Sequence, residues 1–500
     1  MKIFSAAQIK ACDAYTIHAG GITSVDLMER AAGVCTEWIA ANCPRQSLFV
    51  VLCGMGNNGG DGLAIARMLH WQGYGVKTFV LKYAEEFSAD CYTNLQRLQK
   101  EGSGLVNLLQ PGTFITDIPA DIIIIDALLG TGLNRPAQDW LADFIKEVNQ
   151  LPNRKIAIDM PSGLPADSIP GADVAILAAD DTLSFQFYKR SLLHPEAGRH
   201  AGNIHILDIE LDKTFIAATH THYHTADRDT VRGLYKKRSP HSHKGTYGTA
   251  MLVGGSFGMM GAIMLATKAT LRAGAGKVKA LVPGCGYTAM QTALPEAMCQ
   301  VSGVDMIETV KDWEQANVIG IGPGIGTAPE TIAAFTHFIE SCTLPLVLDA
   351  DALNMLALHP DLLGKIPAGS VMTPHPKEFE RMFGKAPDSM LQLELARTQA
   401  MRYNIYIILK GHHTVTVTPE GDCWYNLTGN AGMATGGSGD VLCGIVTGLL
   451  AQQYEPYAAC VLGVYLHGLA GDLAAAEIGQ EALIAGDITA YLGKAFLTMG

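Results

Sequence analysis

Several things are scarce in this 500-residue chain, and each shortage closes off a class of protein. Its eleven cysteines stand singly, with no CxxC pair. Isolated cysteines in an α/β chain read as small buried hydrophobes, so reduced thiols and a cytoplasmic location are expected. No basic block stands out and the net charge is −12, which argues against nucleic acid as a partner. The start, Met1 to Gln8, lacks the apolar core of a signal peptide. No uninterrupted apolar stretch is long enough to span a bilayer, so no membrane partner is expected either. With 48% hydrophobic and 17% charged residues the composition is that of a globular protein, and the length exceeds what one hydrophobic core serves.

What is abundant is glycine, concentrated in loops that run into an aspartate. The first loop, Gly54 to Gly62 (GMGNNGGDG), follows the apolar run Leu48–Leu52 and leads into a helical pattern. The second, Thr435 to Asp440 (TGGSGD), opens another helix. Glycine lets backbone approach a ligand closely, and a helix start directs unpaired N–H groups at an anion. Two such loops, one near each end, imply two sites for phosphate-bearing molecules.

Both halves alternate short apolar runs with helical patterns. Strands are expected over 48–52, 76–81, 122–125, 155–158 and 204–207, then over 249–253, 278–282, 318–321, 346–348 and 405–409. The runs lack strict alternation, as befits strands buried on both faces of a parallel sheet. The expected fold is α/β, with a Rossmann-like three-layer domain over 1–215 and a second α/β domain over 245–500. Between them, 216–244 is rich in His and Thr and carries Lys236-Lys237-Arg238. A metal site would need a second ligand cluster beside these histidines, so the segment reads as a solvated linker.

In the first half three features fall after strands, where open α/β sheets bind ligands. They are the glycine loop, the segment Asp126 to Pro136 (DALLGTGLNRP) and the segment Asp159 to Gly163 (DMPSG). Gly130, Thr131 and Gly132 would cradle phosphate and Arg135 would pair with it. Asp159 is suited to acid/base work. Asn58, Asp126 and Ser162 offer only oxygen ligands, suited to a hard cation and not to zinc.

Together these motifs resemble the N-terminal domain of the YjeF family, the NAD(P)H-hydrate epimerases. The resemblance implies that Asn57, Asn58, Gly59, Gly60 and Asp61, with Gly130, Thr131, Gly132, Leu133, Asn134, Arg135 and Pro136, contact the hydrated dinucleotide. It implies that Asp159 is the catalytic aspartate, and that Asn58, Asp126 and Ser162 hold potassium. The loop departs from the GxGxxG dinucleotide fingerprint, so an ordinary NAD-dependent dehydrogenase is not implied.

In the second half, Gly437 to Gly439 would form an anion hole beside Asp440, as in the GxGD element of ribokinase-like kinases. GGSxxMxGA, IGPGIG, LDADALN, TPHPxE, LKGxxT and NxGMATGGSGDVL occur in order over 230–500. They resemble the ribokinase-like, ADP-dependent NAD(P)H-hydrate dehydratase domain of the same family. By that resemblance Ala262, Gly324, His375 and Asp440 contact the hydrate. Lys410, Gly411, His412, His413, Thr414 and Gly439 contact the adenine nucleotide, ADP, with magnesium. Asp440 is the catalytic residue there. Lys377 stands where TPHPxE leads one to expect a small residue, and alters the charge beside His375.

The implied function is repair of the hydrates of NADH and NADPH: epimerisation at the first site and ADP-driven dehydration of the S epimer at the second. A ribokinase-type small-molecule kinase fused to a nucleotide-binding domain explains the second site equally well but not the first. A non-enzymatic scaffold explains neither Asp159 nor the cation-ligand set. The apolar helical stretch Ala458 to Leu469 points to a homo-oligomer.

Overall fold

A computed structural model describes every residue except Ser103, Thr116, Asp117 and Asn134. The chain forms two compact units: one comprises 2–221 with 388–390, the other Met1, 222–387 and 391–500.

The first unit holds seven strands: β1 (Leu48–Cys53), β2 (Gly75–Leu81), β3 (Val106–Leu109), β4 (Ile123–Ala127), β5 (Lys155–Ile158), β6 (Asp181–Phe185) and β7 (Asn203–Leu207). All are parallel, in the order β3-β2-β1-β4-β5-β6-β7. Alternate residues of β1 feed two separate cores. Phe49, Val51 and Cys53 pack with the helices Ser24–Asn42 and Asn57–Trp71, while Val50 and Leu52 pack with Asp139–Gln150. A sheet covered on both faces is the expected three-layer Rossmann-like arrangement. Strand order reverses between β1 and β4, and the crevice beyond their carboxyl ends is where such sheets take ligands.

The second unit holds β8 (Tyr223–Ala226), β9 (Thr249–Val253), β10 (Lys277–Val282), β11 (Met298–Val301), β12 (Val318–Ile321), β13 (Leu346–Leu348), β14 (Val371–Met372), β15 (Tyr406–Leu409), β16 (Val415–Val417) and β17 (Cys423–Asn426). Their order is β11-β10-β9-β12-β13-β14-β15-β16-β17-β8, and order reverses between β9 and β12. Only β16 runs against its neighbours. One core joins this sheet to the helices Met260–Ala273, Ser438–Ala451, Pro456–Ile478 and Ala485–Leu497.

Three expectations need correction. The segment 216–244 is not simply a linker: Tyr223–Ala226 is β8, paired with β17, and Arg228–Leu234 is a helix, capped by Asp227. The helix Pro456–Ile478 is long and apolar enough to cross a membrane, contrary to the expectation that no such stretch exists; 72% of its most apolar window is buried inside the protein, as in a core helix. That burial also removes Ala458–Leu469 as an argument for self-association, because nearly all of these side chains face their own core.

The helices Ser438–Ala451 and Met260–Ala273 pack at close range through small residues. A Cβ at Gly444 would lie 2.2 Å from the Ala266 carbonyl oxygen, and Thr270 Oγ1 donates to the Gly444 carbonyl at 2.9 Å. Alanine gains about 1 kcal/mol over glycine in a helix, but a collision with backbone costs about 1–3 kcal/mol. Gly444→Ala should therefore be net destabilising by up to about 2 kcal/mol, seen as a lower midpoint in denaturant unfolding of the full chain.

Candidate active sites

Beyond the end of β1 the backbone turns so tightly that only glycine fits. A Cβ at Gly54 would lie 2.0 Å from the Leu128 carbonyl oxygen, and one at Gly59 2.0 Å from that of Gly54. The helix Asn57–Trp71 then begins without a side-chain cap, so its first-turn N–H groups are left for a ligand. Asn57 is exposed, whereas Asn58, Gly59, Gly60 and Asp61 are buried. Asn58 faces Gly130: a Cβ there would sit 3.1 Å from the Asn58 amide. Neither Oδ1 nor Nδ2 of Asn58 has a hydrogen-bond partner among the described residues, although both are buried.

Asp126, at the end of β4, is fully buried. It accepts from Ser162 N (2.8 Å), Ser162 Oγ (2.6 Å) and Leu128 N (3.2 Å). Burial pushes its carboxyl up to about 6 against these bonds. All three donors are neutral, so the ionised carboxylate lacks a counter-charge from them. The structure thus brings Asp126 and Ser162 together and sets Asn58 against Gly130.

Asp159 follows β5 with φ +64°, a left-handed conformation in which a non-glycine residue carries strain. Its Oδ2 accepts from Thr131 N at 3.2 Å and its Oδ1 from Lys189 Nζ at 2.5 Å. Lys189 is almost wholly buried, and its ammonium also donates to Ser184 Oγ and the Phe185 carbonyl. Two further acids feel Asp159. Burial and then Asp159 push Asp13 up to about 6, with Lys189 opposing. Burial, Asp159 and Asp13 hold Asp61 well above the usual carboxylate range. Asp159, Asp13 and Asp61 thus form one coupled carboxylate cluster, with Lys189 bonded to Asp159 and opposing the shift of Asp13. Sequence reasoning missed Lys189 and Asp13; each lies outside any glycine motif, and only the fold brings them in. Gly132, Arg135 and Pro136 sit exposed in the loop after Thr131, and Asn134 lies outside the described residues.

In the second unit the glycine loops again flank the switch strands. Gly254 and Gly255 follow β9; Gly322, Gly324 and Gly326 follow β12, all three with positive φ. A Cβ at Gly324 would lie 3.1 Å from that of Ala262, so these two expected substrate contacts are adjacent. Asp349 follows β13, and Ala350 after it takes φ +49°. Asp349 Oδ1 accepts from Lys410 Nζ at 2.8 Å, with Glu378 Oε2 at 3.9 Å from the same ammonium. Burial alone would push Lys410 down, but Asp349 and Glu378 outweigh it and raise it. Lys410 is thereby a half-buried cation beside Gly439, whose Cβ position is 3.2 Å from Nζ.

The helix Ser438–Ala451 starts at Gly437 (φ +91°) with no side-chain cap. Asp440 lies in its first turn, pushed up to about 7 by burial first, then by Asp349, with Lys410 opposing and Asp351 and Glu378 adding. His375 caps the helix Pro376–Phe383: its Nδ1 accepts from Lys377 N (3.1 Å) and Glu378 N (3.2 Å), and Glu378 accepts in return from His375 N (2.8 Å). Burial pushes its imidazole below the ordinary range. Lys377 itself is exposed. Gly411 and Thr414 close a turn after β15, with Thr414 Oγ1 accepting from Gly411 N at 3.3 Å; the rings of His412 and His413 lie tilted by 56°, 4.4 Å between centroids. Asp349 and Glu378 complete this site, and their signal was their place directly after a strand and within TPHPxE.

Two glycine-lined crevices, each with a carboxylate cluster and a lysine bonded to one of its acids, define a two-domain α/β enzyme built for anionic ligands. Residues 24–191 match the YjeF-related protein N-terminus family, and residues 250–493 match the NAD(P)H-hydrate dehydratase family. A bifunctional NAD(P)H-hydrate repair enzyme of Moorella thermoacetica is 36% identical over 98% of this chain and 96% of its own length. One from Escherichia coli is 34% identical over 95% of this chain and 90% of its own. An ADP/ATP-dependent NAD(P)H-hydrate dehydratase of Bacillus subtilis, crystallised with ATP/Mg2+, is 33% identical over 55% of this chain and 99% of its own, with a TM-score of 0.49. The chain belongs to the bifunctional NAD(P)H-hydrate repair enzyme family.

The raised carboxyl of Asp126 has a consequence for stability. A folded-state pKa of about 6 against 3.8 means the folded state holds the proton more tightly, so the contribution of Asp126 to stability is greatest at low pH and falls as pH rises from about 4 to about 6. Asp126→Asn should flatten part of that fall, measured by thermal unfolding of the full chain between pH 4 and pH 8.

Proposed function

We propose that the chain repairs hydrated NADH and NADPH at two separate sites: the first epimerises the R and S hydrates, and the second dehydrates the S epimer at the expense of ADP. The observation that carries this reading is the pair of strand-end carboxylate clusters, each beside an uncapped helix start and each in the domain whose family handles that step.

At the first site Asp159, held by Lys189 and Thr131 N, moves the proton at the nicotinamide ring. Asp61, whose carboxyl is held well above the usual carboxylate range by burial and by Asp159, belongs to the same electrostatic cluster. The helix start at Asn57 and the loop Gly130 to Pro136 bind the pyrophosphate and ribose. Asn58, Asp126 and Ser162 fit a potassium ion: Asn58 Oδ1 is buried and unbonded, and Asp126 is buried among neutral donors. A bound potassium would supply the counter-charge that lets Asp126 ionise.

At the second site the problem is the leaving group, because hydroxide leaves badly and phosphate leaves well. Asp440, poised at about 7, takes the proton from the substrate hydroxyl as it is phosphorylated. Lys410, with Gly439 against it, holds the nucleotide phosphates, and the turn Gly411 to Thr414 contacts the adenine nucleotide. Ala262, Gly324 and His375 position the hydrate. Asp349, Asp351 and Glu378, which together raise Asp440, leave an excess of acid that suits magnesium, the ion that would screen phosphate charge when bound.

The two steps should separate by mutation. Asp440→Asn should abolish dehydration while epimerisation, followed by chiral chromatography of the hydrates, continues. Asp159→Asn should do the reverse. Loss of both activities from either substitution would contradict independent sites, and a stable phosphorylated product would favour the small-molecule kinase instead. Since Asp440 must be ionised to act as base, kcat/KM for dehydration should rise with pH to about 7 and level off above it.

A further inference from the structure

The glycine-rich segment that ends in Asp440 has short internal turns, and a neighbouring helix fastens it at both ends. On Pro456–Ile478, His467 Nε2 lies 3.0 Å from the Ser438 carbonyl oxygen and 3.4 Å from Ser438 Oγ. A carbonyl only accepts, so Nε2 carries the proton and the ring is neutral, consistent with burial pushing His467 down to about 4. Five residues along, Asp472 Oδ2 accepts from Gly429 N at 2.9 Å and Oδ1 from Asn430 Nδ2 at 2.9 Å. Asn430 in turn accepts from Gly432 N at 3.0 Å. Two turns before Asp472, the Tyr465 carbonyl accepts from Thr428 Oγ1 at 2.9 Å.

Between these fixings the helix carries glycine where the segment presses on it. A Cβ at Gly468 would lie 2.3 Å from Thr428 Oγ1, and one at Gly471 2.3 Å from Met433 Sδ. Tyr465, Gly468 and Asp472 follow the i, i+3, i+7 spacing of a single helix face, and His467 and Gly471, four apart, form its flank. The segment is therefore fastened at its start (Thr428 to Asn430) and at its end (Ser438), with close packing between. Part of this helix packs in the core, which makes it a rigid base.

We infer that His467 and Asp472 are positioning residues of the dehydratase site, which hold the segment 428–440 so that the anion hole and Asp440 keep their register. This inference rests on the proposed dehydration at Asp440. Neither residue need touch substrate: His467 acts through Ser438, and Asp472 through Gly429 and Asn430. Preorganised N–H donors contribute most when they do not have to move during reaction, so a loosened segment loses turnover more than ground-state binding.

The test compares His467→Leu, which removes the donor, with His467→Gln, which keeps an N–H, and uses Asp472→Ala as a second variant in case His467→Leu fails to fold. Amide hydrogen exchange of peptides covering 428–441 is read on the full chain, alongside dehydration and epimerisation rates. Exchange in this segment should quicken about tenfold in His467→Leu and in Asp472→Ala, the effect of about one buried hydrogen bond. The kcat for dehydration should fall about tenfold with KM for the hydrate little changed. His467→Gln should restore both, and epimerisation should be unaffected throughout. Unchanged exchange in His467→Leu and Asp472→Ala overturns the inference, as does quickened exchange with unchanged kcat. If the unsubstituted chain proves unable to dehydrate the hydrate, the functional reading fails, while the exchange data still decide whether the helix holds the segment.

Discussion

Everything at both sites depends on keeping carboxylates out of water at the carboxyl ends of parallel strands. An ionised carboxylate there is costly unless a cation or several donors face it. Each site offers one lysine, the buried Lys189 or the half-buried Lys410, bonded directly to one acid, Asp159 or Asp349. The remaining acids are left short of charge: Asp13 and Asp126 move to about 6, and Asp440 to about 7. That shortage places proton-transferring groups near neutral pH and leaves room for cations and for the positive edge of an uncapped helix. The stability given up at these positions is offset by cores elsewhere in each unit.

The backbone contributes in the same way twice. Asp159, itself a strand-end aspartate, and Ala350, which follows the strand-end Asp349, are both non-glycine residues with positive φ. Each lies next to a glycine-lined turn in which an added Cβ would collide with backbone oxygen, as at Gly54, Gly59 and Gly322. Such geometry survives only where the surrounding sheet enforces it. The parallel sheet is thus what makes the strained turn affordable, and the strained turn is what brings the carboxylate to the ligand.

Longer buried strands were legible because burial on both faces leaves a continuous apolar run, as in Leu48–Leu52, Thr249–Val253 and Val318–Ile321, whereas the buried strands β14 and β16 are only two and three residues long and leave no such run. β3 and β11 were not, since they are edge strands with partly exposed side chains and no such run. β6 was hidden by Asp181, Thr182 and Ser184, whose polar groups find partners only in the fold. β8 lay inside a His- and Thr-rich stretch that reads as linker, yet it completes the edge of the second sheet beside β17. At the sites, Asp126, Ser162, Gly324 and Lys410 drew attention because each belongs to a motif at or just beyond the carboxyl end of a strand. Asp13, on the first helix, and Lys189, four residues after β6, carry no local signal, and their role exists only once tertiary packing sets them against Asp159.

The most direct test of the account is recovery of the reduced nicotinamide absorbance band from a mixture of R and S hydrates, with the purified chain, magnesium, potassium and ADP. The account predicts complete recovery, because the first site feeds the R epimer to the second. Recovery that stops at the S fraction would contradict the assignment of the first site, and no recovery with either ADP or ATP would contradict the repair function as a whole.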